Sequence, residues 1–209
     1  MTPMKNAIAS KGNEQRMTTD EIADLKHRLH VLESEADIRR LMARYMWLCD
    51  TPLPEHPGDL GPQERIRLIL ELYSKDAVWE GVGPFYDDQF GYSKGMAQLT
   101  EHFEGFFAGK GEGQNATSDL LLNAHYLTTE QIRVHEDGTT ADGLWIHMQP
   151  WLFSDGSALL RSSRLNNAFK IEDGVWKMSR YRTENVFVAP LPAWFASNYT
   201  AKSVLTQVD

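Results

Sequence analysis

Residues 120–190 form one unbroken run of strand-like sequence, LLLNAHYLTTEQIRVHEDGTTADGLWIHMQPWLFSDGSALLRSSRLNNAFKIEDGVWKMSRYRTENVFVAP. Three Asp-Gly pairs interrupt it at an identical spacing of 18 residues: Asp137-Gly138, Asp155-Gly156 and Asp173-Gly174. Asp-Gly supplies the positive φ angles that a tight hairpin needs, so each pair predicts a turn. The segments between the turns are far longer than the usual strand of about 5–6 residues. Strands of this length twist and bend, so the stretch predicts an antiparallel meander with one concave face.

The residues before this meander carry the helical patterns that can cover its concave face. Apolar residues recur at helical spacing from Ile38 to Cys49, from Gln63 to Tyr73 and from Met96 to Phe107, with a short strand predicted at Asp76–Glu80. Helices followed by a long bent sheet are typical of an α+β fold with the helices on one face. We therefore predict a cone-shaped domain in which three N-terminal helices cover a long antiparallel sheet.

A leading helix is predicted over residues 18–34, because Thr18 or Thr19 can cap it and acidic residues follow. Its apolar residues have the 3-4-3-4 spacing of a coiled coil: Ile22, Leu25, Leu29, Leu32 and Ala36. This seam is too short to be stable alone, so we expect it to pack on the domain or on a neighbouring subunit of a homo-oligomer, a trimer or a dimer. Ser34 and Asp37 resemble a capping box, which indicates a new helix start or a kink.

Composition excludes several classes of partner. The chain of 209 residues has 21 basic and 29 acidic residues, a net charge of −8, and no basic run. This balance argues against nucleic acid or an anionic membrane as a partner. Cys49 is the single cysteine, so neither a disulfide framework nor a thiolate zinc site is expected. The polar N-terminus lacks the apolar core of a signal peptide, and no stretch is long enough to span a membrane, so we expect a cytoplasmic protein.

The ends of the chain are expected to differ from its centre. Residues 1–17 are polar and are predicted to be disordered, whereas residues 18–190 are predicted to form a single domain. The tail, residues 191–209, retains Trp194, Phe195 and Tyr199, which favours a docked segment over a free one.

Four short stretches resemble the SnoaL-like division of the nuclear transport factor 2-like superfamily. They are Ile38-Arg-Arg-Leu-Met-Ala-Arg-Tyr45 with Asp50, Leu72-Tyr-Ser-Lys-Asp-Ala-Val-Trp79, Asn123-Ala-His-Tyr126 and Asp173-Gly-Val-Trp-Lys177. Their order and spacing are similar to those of scytalone dehydratase and bile-acid 7α-dehydratase. The resemblance implies a cone-shaped α+β fold, trimeric assembly, and catalytic roles for Tyr45, Asp50 and His125.

The chain departs from those dehydratases where the substrate is recognised. Their second polar residue aligns near Trp145, and His147 lies two residues further, on the same face of the strand. A pocket asparagine of scytalone dehydratase is replaced by Leu165, with Asn167 one pleat away. We take Trp145, His147, Arg161 and Asn167 as candidate substrate-binding residues, together with Tyr86 in the loop after the short strand.

The candidate catalytic residues suit acid–base chemistry without a cofactor. A histidine in an apolar cavity remains neutral near pH 7 and can act as a general base. A tyrosine can donate a hydrogen bond to an oxygen that gains charge, and an aspartate can orient the histidine. The sequence shows neither ligand spacing for a metal nor a glycine-rich dinucleotide loop, so we expect activity without metal, flavin or nicotinamide.

Each of these residues also has a structural interpretation. His125 can be a core histidine that is hydrogen-bonded to a carbonyl, Tyr45 can belong to the helix core, and Asp50 can stabilise the turn before Thr51-Pro52. Arg161 can pair with one of the 29 carboxylates, and Tyr86 can belong to a lid.

Two classes of function follow from the resemblance and the chemistry. The first is a cofactor-independent lyase for a bulky hydroxylated aromatic or polycyclic small molecule, acting by dehydration or by retro-aldol-type loss of formaldehyde from a lignin-derived diaryl compound. Isomerases of the ketosteroid-isomerase or polyketide-cyclase type use similar chemistry. The second is a non-catalytic binding or assembly module, such as the small subunit of a ring-hydroxylating dioxygenase, and fold alone does not separate the two classes.

Overall fold

The computed structural model describes residues 17–51, 60–83, 86, 91–107 and 120–193. The predictions for residues 1–16 and for the tail from residue 194 onwards lie outside the described residues. The described elements are, in chain order, α1 (Thr19–Cys49), α2 (Pro62–Leu70), β1 (Tyr73–Val82), β2 (Tyr92–Lys94), α3 (Gly95–Phe107), β3 (Leu120–Asn123), β4 (Tyr126–Val134), β5 (Thr140–Phe153), β6 (Ala158–Glu172) and β7 (Val175–Pro190). The predicted α+β class with three helices before a long sheet is confirmed.

Helix α1 is a single helix of 31 residues. Thr18 caps it through a capping box, in which its side chain accepts from the Glu21 amide and the Glu21 carboxylate accepts from the Thr18 amide. The helix continues without interruption through Ser34, so the predicted new start there is wrong. Ser34 is buried, and its side chain therefore belongs to the packed face of the helix and not to a cap.

The two halves of α1 differ in burial. The C-terminal half buries its apolar stripe, including Ile38, Met42 and Leu48, in the domain core. The N-terminal half does not, since 43–63% of each side chain of Ile22, Leu25, Leu29 and Leu32 is exposed. We call these four residues the α1 stripe. The single chain thus leaves the predicted seam uncovered.

The sheet has seven strands in the order β2-β1-β7-β6-β5-β3, and β4 also pairs with β5. Strands β3 to β7 form the predicted antiparallel meander, with glycines at positive φ in all three Asp-Gly turns. Strand β1 adds to β7 in parallel, which makes the sheet mixed and places the last strand in its middle. Register shifts along β6 and β7 mark bulges, and bulges bend a sheet.

Alternation along the long strands separates a concave face from an outer face. On β5 every second residue from Ala141 to Trp151 is buried, which includes Trp145, His147 and Gln149, and Leu152 is buried as well. Trp145 lies over Gly143 and packs edge-on to Phe169, with ring centroids 6.2 Å apart. A Cβ at Gly143 would meet the Trp145 ring at 2.4 Å, so only glycine fits at this position. The Trp145 end of the sheet is therefore closed by side chains, whereas polar residues accumulate towards Trp151.

None of the helices described here is long and apolar enough to cross a lipid bilayer.

Candidate active site

The end of α1 is joined directly to the start of the long sheet. Asp50 is the C-cap residue and has extended backbone angles, which end the helix. The next residue, Thr51, forms an isolated antiparallel bridge with Asn123, with 2.8 Å hydrogen bonds in both directions. This bridge brings Asp50 beside His125, although 75 residues separate them in the chain.

Asp50 and His125 form a buried hydrogen-bonded pair. The Asp50 Oδ1 atom accepts from the His125 backbone amide at 2.9 Å and lies 2.6 Å from His125 Nδ1. Only 13% of the Asp50 side chain and 9% of the His125 side chain are exposed. An ionised carboxylate can only accept, so Nδ1 carries the proton and the basic lone pair is on Nε2.

Arg65 on α2 binds backbone carbonyls at the C-terminal end of α1, where Asp50 lies. Its Nε donates to the Leu48 carbonyl at 2.5 Å, and a terminal nitrogen donates to the Asp50 carbonyl. Its guanidinium lies 4.0 Å from the ring centre of Phe107 on α3. These carbonyls have no partner within the helix, so a cation here satisfies them and also offsets the helix dipole.

Two amide side chains complete the contacts of the pair. The Asn123 Nδ2 atom donates to the Cys49 carbonyl at 3.1 Å, and Asn123 Oδ1 accepts from Gln149 Nε2 at 2.6 Å. The same Gln149 nitrogen lies 3.0 Å from His125 Nε2. We call Asn123 and Gln149 the amide bridge, because they connect the end of α1 with Nε2 of His125.

Burial sets the charge of the pair. It raises the pKa of Asp50 to about 7, although the His125 amide and Arg65 act in the opposite direction. Burial also lowers the pKa of His125 to about 3, with Arg161 and Arg65 adding to the effect. His125 is therefore neutral at pH 7, and the Asp50 carboxyl changes its charge near that pH.

His125 and the amide bridge open into a pocket between the helices and the concave face. The centres of water-sized molecules could occupy about 70 Å³ of it, several times the roughly 10–15 Å³ that one ordered water needs. Aromatic side chains form most of its walls: Tyr45, Trp79, Tyr86, Phe103, Phe106, Phe107, Trp151 and Tyr181. Polar side chains lie among these rings, mainly on the sheet: Asn123 on β3, His147 and Gln149 on β5, Arg161 on β6 and Thr183 on β7, with His102 on α3.

His147 is the most unusual polar group in this pocket. Its side chain is buried, and within the described residues neither ring nitrogen has a hydrogen-bond partner. The ring stacks on His125 with 5.0 Å between centroids and an angle of 8° between the planes. Burial, His125 and Arg161 together lower the pKa of His147 to about 2. A neutral imidazole next to His125 thus offers one donor and one acceptor to a ligand.

Arg161 and Tyr86 form a second polar group on the pocket wall. A terminal nitrogen of Arg161 donates to Tyr86 Oη at 2.5 Å, and this hydroxyl lies 3.4 Å from Thr183 Oγ1. The guanidinium also lies 4.5 Å from the ring centre of Trp151. Tyr86 can approach β1 closely because Gly81 faces it, where a Cβ would meet the Tyr86 ring at 2.6 Å.

Tyr45 lines the same pocket from α1. Its ring packs against Tyr73, Phe103 and Tyr181, with the Tyr181 centroid 5.1 Å away. Burial raises the pKa of Tyr45 well above its ordinary value, so the hydroxyl keeps its proton. It can therefore donate a hydrogen bond without carrying charge.

The structure brings six of the eight candidate residues together and separates two from them. Tyr45, Tyr86, His125, His147 and Arg161 line the pocket, and Asp50 holds His125. Trp145 lies deeper in the cone, where its Nε1 donates to Glu130 at 3.4 Å. Asn167 is fully buried: its Oδ1 accepts from the Arg182 amide at 2.9 Å, and its Nδ2 contacts the Met42 sulfur at 3.5 Å. Both residues lie outside the pocket.

Three residues of the site were not identified from the sequence. Gln149 lies two residues after His147 on β5, so strand alternation places both side chains on the same face and could have identified it. Asn123 lies within the Asn-Ala-His stretch, two residues before His125. Arg65 had no comparable signal, since its role depends on how α2 meets the end of α1.

Within the described part of the chain, no three His, Cys, Asp or Glu side chains are grouped so that they could hold a metal ion.

Comparison with known sequences identifies one family. The profile of the SnoaL-like domain matches residues 63–182. No protein of curated function matches the chain in sequence.

Several solved structures have the same fold at low sequence identity. A proposed aromatic ring hydroxylase from Novosphingobium aromaticivorans is 22% identical, with a TM-score of 0.57 over 77% of this chain and 94% of that chain. Hexachlorocyclohexane dehydrochlorinase LinA-type3 from Novosphingobium barchaimii is 16% identical, with a TM-score of 0.58 over 78% and 94%. A proposed scytalone dehydratase from Novosphingobium aromaticivorans is 13% identical, with a TM-score of 0.56 over 77% and 89%. At these identities the similarity shows the fold alone.

Proposed function

The chain belongs to the SnoaL-like domain family of the nuclear transport factor 2-like superfamily, and from that premise we propose that it is a cofactor-independent lyase for small aromatic or polycyclic molecules. The observation that carries the proposal is the buried Asp50–His125 pair, 2.6 Å apart, at a pocket that retains internal space. A pocket filled by side chains would have favoured a binding or assembly module. The names of two structural neighbours, a dehydrochlorinase and a proposed dehydratase, both denote eliminations and support the same class of reaction.

In the proposed reaction, His125 acts as the general base. Its Nε2 lone pair takes a proton from a substrate carbon, and the electrons of that C–H bond form a new double bond. A leaving group, such as hydroxide, departs from the neighbouring carbon with its bonding electrons. His125 then passes the proton to the leaving group or to solvent, so no further reactant is consumed. Retro-aldol loss of formaldehyde follows the same scheme, with the proton taken from a hydroxyl and a C–C bond broken.

The other pocket residues suit the charge that develops in this reaction. Asp50 holds the Nδ1 proton and stabilises the imidazolium that forms. Tyr45, which keeps its proton, donates to the oxygen that gains charge. Arg161 and His147 line the pocket and can bind a substrate hydroxyl or carbonyl. The aromatic walls favour a flat, largely apolar substrate body.

The direct test is a screen for elimination with purified protein. We would offer hydroxylated diaryl compounds, β-hydroxyketones and chlorinated cyclohexanes, without added metal or cofactor, and follow product formation by mass spectrometry. Conversion that needs His125 supports the proposal. Conversion that stops after treatment with a chelator and returns with a divalent ion would contradict the cofactor-independent mechanism. Movement of a double bond without loss of a group would identify an isomerase instead.

The pH dependence of this activity follows from Asp50. Because burial raises the pKa of its carboxyl to about 7, the carboxylate that orients His125 is lost as the pH falls through that value. We expect kcat/KM to rise with pH and to level off above about pH 7. A profile measured from about pH 5 to about pH 9 tests this, and a flat profile would contradict it.

We also propose that the protein is a homo-oligomer, a trimer or a dimer. The α1 stripe leaves four large apolar side chains 43–63% exposed in the single chain, and burial of such side chains is favourable by about 25 cal/mol per Å². Light scattering at micromolar concentration measures the mass. A value near 23.8 kDa, the mass of one chain, would contradict assembly.

A further inference from the structure

The base nitrogen of His125 already has a hydrogen-bond partner in the resting protein. Gln149 Nε2 lies 3.0 Å from His125 Nε2 and 2.6 Å from Asn123 Oδ1. The Gln149 side chain is buried, with 5% of its surface exposed, so water does not readily replace these contacts. A general base whose only lone pair accepts a hydrogen bond cannot take a proton until that bond breaks.

The orientation of the amide bridge follows from its anchor. The Cys49 carbonyl can only accept, so Asn123 must present its nitrogen to it, at 3.1 Å. Asn123 Oδ1 therefore faces Gln149 and needs a donor. Gln149 must present its amide nitrogen, and the second N–H of that nitrogen points to His125 Nε2. Rotating the Gln149 amide would set two oxygens against each other at 2.6 Å.

Proton transfer to His125 changes its Nε2 atom from a hydrogen-bond acceptor into a donor. The Gln149 N–H must leave the Nε2 lone pair for the proton to enter, and the protonated Nε2 is then itself a donor. Two donors 3.0 Å apart repel each other, so this hydrogen bond cannot form again while His125 is protonated. One N–H group of Gln149 becomes available at the moment when negative charge develops on the substrate beside it.

We propose that Gln149 transfers one N–H group from the base nitrogen of His125 to the charge-bearing oxygen of the substrate when His125 is protonated. This rests on the proposed function, because it assigns His125 as the base. Asn123 acts as the positioning residue, since its bond to the Cys49 carbonyl keeps the Gln149 nitrogen on the side of His125. The amide bridge thus couples proton transfer from the substrate to His125 with donation of a Gln149 N–H group to the charged substrate oxygen.

Four charged or titratable groups surround His125 and must stay unchanged in a test. Burial, Arg161 on β6 and Arg65 on α2 disfavour the imidazolium, whereas an Asp50 carboxylate 2.6 Å from Nδ1 favours it. His147 on β5 is neutral and stacks on the ring. A change at Gln149 alters none of these four groups, so a change in the pKa of His125 can be assigned to the lost N–H.

The test uses Gln149→Met, which has similar length and no donor. Removing a donor from the neutral imidazole should raise the pKa of His125, by about one unit, because a hydrogen bond to the neutral form disfavours the charged form. NMR titration of the free protein measures this without any substrate. Turnover on a substrate found by the screen should fall by about 10²–10³-fold, the usual cost of one oxyanion donor. A stronger base with slower turnover is the expected combination.

The outcomes separate this inference from the proposed function. An unchanged or lower His125 pKa in Gln149→Met would overturn the inference, whether or not a substrate is known. A higher pKa with unchanged or faster turnover would also overturn it, because Gln149 would then only mask the base. Absence of elimination activity in the unaltered protein would instead contradict the proposed function.

Two further variants serve as controls. Asn123→Leu removes the anchor and should shift the His125 pKa in the same direction as Gln149→Met, which keeps the test valid if that variant folds poorly. Gln131→Met makes the same chemical change on β4, at an exposed position outside the pocket. It should leave both the pKa of His125 and turnover unchanged.

Discussion

Replacing His125 with glutamine should lower kcat by about 10²–10⁴-fold, the usual contribution of a general base. Glutamine can still donate to Asp50 and accept from Gln149, so it keeps both hydrogen bonds of the imidazole but has no basic nitrogen. We therefore expect the melting temperature to stay close to that of the unaltered protein. Steady-state kinetics and thermal unfolding on the same preparation measure the two quantities.

The chain contains a matched control for this variant. His135 pairs with Asp142 at 2.9 Å, on a hairpin outside the pocket. His135→Gln should leave kcat unchanged, since it removes a similar histidine–aspartate pair that has no access to substrate. In addition, His125→Ala should regain part of its turnover when free imidazole is supplied. Near-normal turnover in His125→Gln would show that His125 is a packing residue.

Replacing Asp50 with asparagine should reduce activity and raise stability at the same time. Without the carboxylate the imidazolium loses its stabilising charge, and we expect kcat to fall by at least about a hundredfold. Burial raises the pKa of Asp50 from 3.8 to about 7, so the folded state binds this proton more tightly than the unfolded state. Stability therefore falls as the pH rises from about 4 to about 7, and stays lower above that range.

The asparagine side chain of Asp50→Asn stays neutral and therefore avoids the loss of stability that ionisation of Asp50 causes. At pH 8 we expect Asp50→Asn to gain on the order of 1–3 kcal/mol in the free energy of unfolding. The gain is smaller than the full pKa shift implies, because an amide oxygen accepts weaker hydrogen bonds than a carboxylate does. The advantage should disappear as the pH falls to about 4, where both forms are neutral. Urea unfolding at several pH values measures it, and a loss of stability at pH 8 would contradict the account.

Asp142→Asn is the corresponding control. This carboxylate is about half exposed and pairs with His135 outside the pocket. Its replacement should leave kcat unchanged, because the side chain does not line the pocket. Together the two variants distinguish a buried, functional carboxylate from an ordinary surface one.

Local patterns in the sequence were sufficient to predict the hairpins and most of the helices, but not every boundary. The Asp-Gly spacing predicts the hairpins because the turn requirement involves only adjacent residues. Ser34 shows where such reasoning fails. A serine with an acidic residue three positions later is found both at helix starts and within helices, so the pattern wrongly predicted a new helix at Ser34. Helix α2 likewise ends at Leu70 and not at Tyr73, which belongs to β1 because the parallel pairing with β7 outweighs helical periodicity.

The candidate site was predictable only in part. Alternation places Trp145, His147 and Gln149 on one face of β5, but it does not say how deep each lies in the cone. The curl of the sheet leaves His147 and Gln149 at the pocket and puts Trp145 in the closed end. Asn167 is occupied by the Arg182 amide, a contact made across strands and therefore absent from any single stretch of sequence.

The central position of β7 affects how the protein can be made. Strand β7 is the last strand along the chain, yet β1 and β6 pair on either side of it. While the protein is being synthesised, β1 can pair with β2 on one edge, but its other edge has no partner until residues 175–190 have emerged. Such long-range pairing slows folding, and an unpaired edge strand favours aggregation. A chain that stops before β7 would therefore contain Asp50 and His125 but would lack the part of the pocket wall that β7 forms. Its β1 and β6 strands would have unpaired edges, which cellular quality control can recognise.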